Sequence, residues 1–352
     1  MPDPFLNHRP WISPSLNMVR YVPLPALSLP QGLADYTAFE KLNSVSLDVA
    51  VRDWHKEPKS GESWSAFLSA LRNGDPDARE ILLRRGRALG YLLLMLRYGR
   101  PGPDSPRPEW QDAHWDHWNS IREIWLGGGQ TAGIMGNLLV EGAVPVLERF
   151  APDVSLDLSP YGSVAVMVGM ARFAPLPAGA MLVADFGHTT VKTAIARFRD
   201  GLLMSLKAVE KQEAPCLDEL GPQMRFEWML DLLEGRWRQG REAGLPMSEV
   251  IGVSLACYLR DGHPLTLNRG CYDGLGELAP NLRDHFSELL SQRLTRSIQV
   301  SLQHDGRAAA ATISGRRNVA FLTLGTSLGN GFPPEREQLR PMRNPIDIAS
   351  AD

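Results

Sequence analysis

The 352-residue sequence has few cysteines, no long hydrophobic run and a net charge of only −3. The three cysteines, Cys216, Cys257 and Cys271, are odd in number and lack Cys-x-x-Cys spacing, so we expect free thiols in a reducing compartment. No apolar stretch approaches the roughly 20 residues of a membrane span, and the first residues lack the basic and apolar segments of a signal peptide. The small net charge gives no reason to expect nucleic acid or an anionic membrane as a partner. We therefore expect a cytoplasmic protein.

The hydrophobic pattern predicts an α/β protein. With 43% apolar residues, the chain can bury one large core or the cores of two lobes. Residues 1 to about 62 are proline-rich and irregular, with β-prone pieces at 18–22 and 45–51 that we expect to pair at a sheet edge. Asp75 as N-cap, followed by Pro76, predicts a helix that runs to about Arg97. Beyond it, predicted strands (121–126, the strand into 185, 250–255, 298–302 and 319–324) alternate with predicted helices (from 132, then 162–173, 280–294 and 306–314).

Three glycine-containing turns each follow an apolar strand, at residues 127–129, 185–192 and 325–331. Glycine lets the backbone turn sharply and approach a ligand without a Cβ in the way. The amides exposed in such turns can hold phosphate oxygens. One such turn is weak evidence, but three of them, with Asp305 after a further strand, favour a phosphate-binding protein.

These motifs resemble those of the ROK sugar kinases, within the superfamily of actin, Hsp70 and sugar kinases. Residues 185–190 resemble the first phosphate motif, Asp-x-Gly-Gly-Thr, and residues 324–331 resemble the second, Leu-Gly-Thr-Gly-x-Gly-x-Gly. Residues 304–310 resemble the family's Asn-Asp-x-x-Ala-Ala-Ala segment, whose aspartate is the catalytic base. Residues 124–129 resemble the adenosine-binding Leu-Gly-Gly-Gly motif, and residues 279–282 resemble a segment whose asparagine contacts the sugar.

The order of these motifs is rotated relative to the family. The adenosine motif normally lies near the C-terminus, but here it precedes the first phosphate motif. The resemblance covers roughly residues 64 to 332 and implies a circularly permuted, two-lobed actin-like ATPase (ribonuclease H-like) fold, with a linker at 175–180. Residues 1–160, with 316–352, would correspond to the C-terminal kinase lobe, and residues 161–315 to the N-terminal lobe.

The resemblance also implies a role for each matching residue. Asp305 would be the catalytic base, Asn281 and His304 would contact the substrate, and Asp185 would bind Mg²⁺ through ATP. No structural zinc is expected, because the family's cysteine cluster is missing. The cofactor-binding residues would be Asp185, Gly187, His188, Thr189, Thr190, Lys192, Gly325, Thr326, Ser327, Gly329, Gly127, Gly128 and Gly129.

Simpler interpretations of the same residues stay open. Asp185 could cap a turn and Asp305 could cap a helix. Thr189 and Thr190 could reflect β-propensity in a hairpin, Lys192 could face solvent, and Pro280-Asn281 could start an ordinary helix. For the His114–His117 pair with its neighbouring tryptophans, we favour a surface or packed aromatic loop over a metal site, because no second ligand group has a recognisable spacing.

The acceptor side departs from the family more than the nucleotide side does. His188 replaces the second glycine of the first phosphate motif, Ser327 replaces a glycine of the second, and His304 replaces the asparagine before the base. The family's Glu-x-Gly-His sugar motif is also absent from residues 1–60. These changes leave the identity of the acceptor open.

We expect an ATP- and Mg²⁺-dependent kinase of a sugar or sugar-like hydroxyl compound, with lobes that close over the acceptor. The alternative is a catalytically weak or inactive nucleotide- or sugar-binding regulatory protein on the same fold. An ATPase acting on a protein or acyl substrate is a third hypothesis. The expected partner is a small sugar-like acceptor, neither nucleic acid nor a membrane, and a homodimer is left open.

Overall fold

The computed structural model describes residues 4–7, 12–24, 27–56, 60–215, 219–265 and 272–350. Cys216 and Cys271 of the thiol prediction lie outside these residues. Helices and strands are mixed along the chain, which confirms the predicted α/β class. The chain divides into two compact units: unit 1 contains Met1–Ser163 and Arg317–Asn330, and unit 2 contains Val164–Arg316 and Gly331–Asp352.

Unit 1 combines a helical layer with a four-stranded sheet. The sheet has the order β11-β10-β1-β2, and both β10 and β2 run parallel to β1. Its strands are β1 (Glu123–Gly127), β2 (Ser155–Leu158), β10 (Val319–Leu324) and β11 (Leu328–Gly331), whose last residue belongs to unit 2. The helices are α1 (Pro4–Asn7), α2 (Ala38–Leu42), α3 (Ser44–His55), α4 (Ser60–Arg72), α5 (Pro76–Tyr98), α6 (Asp112–Ser120) and α7 (Gly133–Phe150).

Helix α5 begins and ends where its sequence predicts. The Asp75 carboxylate accepts a hydrogen bond from the backbone amide of Ala78, and Pro76 occupies the first turn, where its missing N–H costs nothing. The C-terminal half of the helix is buried on all sides, from Ala88 to Leu96. Such a helix belongs inside a core, and it packs against α7.

Unit 2 is built on a six-stranded sheet with the order β12-β5-β4-β3-β6-β9. Strands β3, β4 and β5 form an antiparallel meander, and β6 and β9 add to β3 in parallel. This arrangement agrees with the predicted ribonuclease H-like fold class. The sheet strands are β3 (Gly179–Phe186), β4 (Thr190–Arg199), β5 (Leu202–Glu213), β6 (Met247–Leu255), β9 (Gln299–His304) and β12 (Met342–Ser350), and β7 (Leu259–Arg260) and β8 (His263–Pro264) form a separate hairpin.

Helices cover both faces of the central strands of this sheet. They are α8 (Ala165–Arg172), α9 (Pro222–Glu242), α10 (Leu282–Leu294) and α11 (Asp305–Ala310). Leu182, Ala184 and Phe186 of β3 join a core cluster with α9 and α10, whereas α8 packs against β3, β6 and α11. Strand β3 is therefore buried from Ala180 to Phe186, as expected for the centre of a sheet covered on both sides.

Several local predictions were wrong. The segment up to residue 62, predicted to be irregular, contains α2 and α3. Residues 18–22 do not form a sheet strand: Met18 ends a 3₁₀ helix, and Arg20 forms only an isolated bridge with Thr37. Residues 45–51 lie within helix α3, which Asn43 caps by accepting from the amide of Ser46, and they do not form a strand. The aromatic segment predicted as a loop is helix α6.

Residues 331–352 belong to unit 2, where β12 pairs with β5. Among the described helices, none is long and apolar enough to cross a membrane.

Candidate functional site

Asp185 lies at the carboxyl end of β3, where two neighbouring strands supply partners for its carboxylate. Lys192, opposite it on β4, donates from Nζ to Oδ2 at 3.2 Å, and Ser254, opposite it on β6, donates from Oγ to Oδ1 at 2.9 Å. Asp185 and Ser254 are buried, and Lys192 is largely buried. Two side chains from neighbouring strands therefore fix the carboxylate.

The turn after Asp185 is a tight hairpin between β3 and β4. Gly187 donates from its amide to the carbonyl of Thr190 at 3.1 Å, and a Cβ at residue 187 would lie 2.8 Å from that oxygen. His188 and Thr189 are exposed, and Thr190 is half-buried. His188 does not have a positive φ, so the position does not need the glycine that the phosphate motif has there.

Asp305 lies at the same end of the sheet as Asp185. Asp185 is level with Ser254 on β6, and Ser254 is level with Gln303 on β9. Two strand spacings separate the outer positions by about 10 Å. The structure therefore brings the predicted phosphate turn and the predicted base to one edge of unit 2.

The Asp305 carboxylate is held through one of its two oxygens. Its Oδ1 accepts from the amide of Gly306 at 2.6 Å, and Nε2 of His304 lies 2.9 Å from the same oxygen. The His304 ring in turn stacks on Tyr258, with centroids 4.1 Å apart. Asp305 is the first residue of α11 and His304 is its N-cap, so the helix-cap interpretation of Asp305 is wrong.

Asn281 has an ordinary structural role. It is the N-cap of α10, where its Oδ1 accepts from the amide of Asp284 at 3.2 Å. Its Nδ2 donates to the carbonyl of Asp261 at 3.3 Å. The cap accounts for the side chain, and contact with a substrate stays a prediction.

In unit 1, the glycine turn at 127–129 follows β1. Gly128 has a φ of 99°, and a Cβ there would lie 2.4 Å from the carbonyl oxygen of Leu324 at the end of β10. Only glycine fits this close approach. Gly129 is exposed, and a Cβ there would meet no atom within 4 Å. The turn therefore presents open backbone at Gly129.

The second glycine turn of unit 1 joins β10 to β11 and lies beside the first, because β1 and β10 are adjacent parallel strands. Ser327 is exposed, and Gly325, Thr326 and Gly329 are half-buried. Asn17, from the segment predicted to be irregular, brackets the turn: its Oδ1 accepts from the amide of Leu328 at 2.8 Å, and its Nδ2 donates to the Leu328 carbonyl at 3.1 Å.

A buried side-chain network connects the two turns of unit 1. Gln130 donates from Nε2 to the carbonyls of Gly325 at 2.8 Å and Leu42 at 3.0 Å, and its Oε1 accepts from Arg85 at 2.9 Å. The Arg85 guanidinium also donates to the Asn43 carbonyl and the Ser46 hydroxyl. This network was not predicted from the sequence. The one sequence signal for it is a polar residue, Gln130, directly after three glycines.

Burial lowers the pKa of Arg85 to about 10, although the group stays charged at neutral pH. No ion pair of Arg85 with a carboxylate occurs among the described residues. A buried cation without a carboxylate partner leaves a positive field beneath the two turns.

The aromatic cluster near residue 115 forms part of the core of unit 1. Trp110, Trp115, Trp118 and His114 are almost completely buried, and burial lowers the pKa of His117 to about 4. Within the described parts of the chain, no group of three or more His, Cys, Asp or Glu side chains is placed to hold a metal ion. The burial of the tryptophans agrees with the packed interpretation of this segment.

Comparison with known proteins gives only distant structural likenesses. No family model matches the sequence, and no curated protein matches it. Solved structures that match in part include a ROK hexokinase from Thermus thermophilus, with 22% identity, a TM-score of 0.28, and coverage of 43% of this chain and 46% of that one. Another is a member of the Ppx/GppA family from Aquifex aeolicus, with 16% identity, a TM-score of 0.22 and coverage of 36% of each chain.

An exopolyphosphatase-like protein matches with 13% identity and a TM-score of 0.24, over 68% of this chain and 84% of that one. The alignments with the hexokinase and the Ppx/GppA protein span less than half of those proteins' lengths.

Proposed function

We propose that the chain is an ATP- and Mg²⁺-dependent kinase that phosphorylates a hydroxyl group of a sugar or sugar-like small molecule. The observation that carries this proposal is the position of Asp185 and Asp305 at one end of the unit 2 sheet. Phosphoryl transfer needs charge stabilisation at the phosphates and a carboxylate that orients the attacking hydroxyl. At this end of the unit 2 sheet, Asp185 is suited to charge stabilisation through a bound ion, and Asp305 is suited to orienting the hydroxyl.

Asp185 would hold Mg²⁺ together with phosphate oxygens and water, since Mg²⁺ commonly takes only one or two carboxylates. The carboxylate fits this role because it is fixed from two sides, by Lys192 and Ser254, at the end of its strand. The bound ion would neutralise charge on the transferred phosphoryl group. Gly187, His188, Thr189, Thr190 and Lys192 would contact the phosphates.

In unit 1, the turn with Gly325, Thr326, Ser327 and Gly329 would contact phosphate, and the turn with Gly127, Gly128 and Gly129 would contact adenosine. The open backbone at Gly129 and the positive charge of Arg85 beneath the turns support these roles. Backbone amides in turns bind phosphate oxygens without a charged side chain.

Asp305 would orient the acceptor hydroxyl and take its proton. The Gly306 amide donates to Oδ1 and His304 Nε2 lies beside that oxygen, so Oδ2 is the oxygen that would accept the proton. The acceptor oxygen would form a bond to the γ-phosphorus of ATP as the bond to the bridging oxygen breaks, giving the phosphate ester and ADP. Substitution of the family's asparagine by His304, stacked on Tyr258, would give this protein its own acceptor preference.

We also propose that the kinase fold is circularly permuted. Helix α8 corresponds to the family's final segment, and β3 to its first strand. In unit 2 these two elements pack against each other, so a few residues are enough to connect them. Because α8 and β3 are close together, a short linker between them is enough to produce the rotated motif order.

The proposal is tested by measuring ADP release with MgATP and a panel of sugars and other polyols. We expect one class of acceptor to stimulate ADP release, and we expect Asp305→Asn to lower it by about 100-fold or more, as removal of a general base does, with MgATP affinity nearly unchanged. Asp116→Asn, the same chemical change at an exposed position of α6, is the control. Undiminished turnover in Asp305→Asn would overturn the assignment of the base.

A regulatory protein that binds nucleotide or sugar without turnover is the second candidate. It is favoured by the Asp185 carboxylate, whose charge Lys192 already neutralises, and by His188 at the exposed tip of the phosphate turn. Thermal stabilisation by MgATP or a sugar, with no ADP formed for any acceptor, would favour this candidate over the kinase.

A further inference from the structure

In each predicted phosphate turn, a glycine carbonyl accepts a hydrogen bond from a buried side chain that lies far away in the sequence. In unit 1, the Gly325 carbonyl accepts from Nε2 of Gln130 at 2.8 Å and from the amide of Ser44 at 2.9 Å. In unit 2, the Gly187 carbonyl accepts from the hydroxyl of Tyr272 at 3.0 Å. The donor to the glycine carbonyl is therefore a glutamine in unit 1 and a tyrosine in unit 2.

Holding a carbonyl fixes the direction of the next amide. In a planar trans peptide, the C=O of one residue and the N–H of the next point in opposite directions. A Gly325 carbonyl directed at Gln130 therefore turns the Thr326 N–H away from Gln130. In the same way, Tyr272 turns the His188 N–H away from the buried side of its turn. A turn binds an anion only when its amides point towards the ligand.

We propose that Gln130 and Tyr272 are positioning residues that direct the amides of Thr326 and His188 at phosphate oxygens. This inference rests on the proposed function, in which both turns bind phosphate. It adds two residues that do not touch the ligand and that no family motif in the sequence contains.

Arg85 determines the orientation of the Gln130 side-chain amide. A guanidinium can only donate hydrogen bonds, so the Gln130 side-chain oxygen must face Arg85 and its NH₂ group must face the two carbonyls. A rotated amide would place an oxygen against carbonyl oxygens and an NH₂ group against the guanidinium. The orientation of the donor to Gly325 is therefore determined by its neighbours.

Tyr272 is held equally firmly. Its side chain is completely buried, and its ring contacts Phe186, the last residue of β3, edge to face with centroids 6.5 Å apart. The hydroxyl lies at the start of the phosphate turn because Gly187 directly follows Phe186. Removing this one oxygen would leave the packing of the ring intact.

Two variants of the full chain test the inference: Tyr272→Phe, which removes one oxygen, and Gln130→Met, which keeps the side-chain length but removes the donor. Tyr21→Phe is the matched control, because it deletes a buried hydroxyl that donates to the Ala88 carbonyl of α5 at 3.2 Å and not to a glycine turn. Affinity for Mg²⁺–tripolyphosphate is measured by calorimetry, and amide exchange is followed in the peptides around residues 187–190 and 325–328.

Each variant is expected to bind tripolyphosphate about five- to tenfold more weakly, the loss that one well-placed hydrogen bond gives. Exchange should quicken about five- to tenfold by the same reasoning, around 187–190 in Tyr272→Phe and around 325–328 in Gln130→Met. The Tyr21→Phe control should lose stability but change neither affinity nor exchange in the turns.

The outcomes separate the inference from the proposed function. If the wild-type chain binds tripolyphosphate and both variants bind it equally well, the inference fails and the proposed function stands. If exchange in the turns does not change, the positioning role fails whatever the ligand result. If the wild-type chain binds neither tripolyphosphate nor MgATP, the proposed function fails, and the role of the two residues in phosphate binding fails with it.

Discussion

Asp185 is a buried carboxylate whose charge is satisfied by Lys192 and whose orientation is fixed by Ser254. Lys192→Met removes the cation and leaves the carboxylate in place. Breaking a buried ion pair from one side is costly, but Lys192 is 18% exposed, so we expect a loss of about 1–3 kcal/mol in the free energy of unfolding. Urea denaturation measures it.

The double variant Asp185→Asn/Lys192→Met removes both charges at once. If the pair is coupled, the double variant loses less stability than the sum of the two single losses, by about 1 kcal/mol or more. Strictly additive losses would show that the two side chains do not interact in solution.

His117 makes the stability of unit 1 sensitive to acid. Burial lowers its pKa from 6.5 to about 4, and His114 adds repulsion, so the folded chain binds this proton less tightly than the unfolded chain does. The stabilisation is complete above about pH 6.5 and is lost progressively as the pH falls to about 4, to a maximum of about 3 kcal/mol.

Urea denaturation at pH 8, 6, 5 and 4 measures this loss. Carboxylates add their own acid dependence, so the informative quantity is the difference between the wild-type chain and His117→Phe. The variant should show a shallower decline between pH 6.5 and 4. Parallel curves for the two proteins would contradict the assignment to His117.

Residues that follow a strand were predictable, and residues that act through tertiary contacts were not. Asp185 stands at the carboxyl end of the apolar strand β3 and Asp305 directly follows β9, where the sequence alone marks them. Ser254, Tyr272 and Gln130 bond partners 69, 85 and 195 residues away. No local pattern encodes a partner at that separation, so these contacts became visible only in the folded chain.

At the scale of elements, the position of Asp305 depends on how α8 packs against α11. A Cβ on Gly169 of α8 would lie 1.7 Å from the carbonyl oxygen of Ala308, so the two helices touch backbone to backbone. Gly169→Ala must push α11 away, and we expect a loss of about 2–4 kcal/mol, typical of severe overpacking.

Gly235→Ala is the matched control. Gly235 lies in the exposed middle of α9, and a Cβ there would meet nothing within 4 Å. Because alanine favours the helix, this variant should gain about 0.5–1 kcal/mol. Thermal and urea denaturation measure both changes, and equal effects at the two positions would contradict the packing described for α8 and α11.

Element type was predictable where the capping and burial signals agreed, as in α5. It was not predictable for α3, because Val45, Val49 and Val51 favour a strand by their β-branched side chains. The Asn43 cap and the burial of Leu47 and Val51 against neighbouring helices outweigh that local preference. The α6 segment was predicted as a loop, but it is a helix whose tryptophans are buried in the core.

At the scale of the whole molecule, the class of the fold was predictable and the pairing of its strands was not. Alternating strands and helices predict an α/β protein, but nothing local indicates that β12 joins β5 from the far end of the chain. That pairing draws residues 331–352 into unit 2, away from the lobe in which the family order would place them.

We propose that the glycine turns bind ATP, and calorimetric titration of the full chain with MgATP measures this binding. Gly129→Val is the informative variant, because its added atoms meet no protein atom near the Cβ and would reach only into the space proposed for adenosine. We predict one ATP per chain, with a Kd of about 1 µM–1 mM, at least tenfold weaker in Gly129→Val at an unchanged melting temperature. Absence of MgATP binding would show that the chain does not bind ATP, and equal affinity in wild type and variant would show that the turn at Gly129 does not contact it.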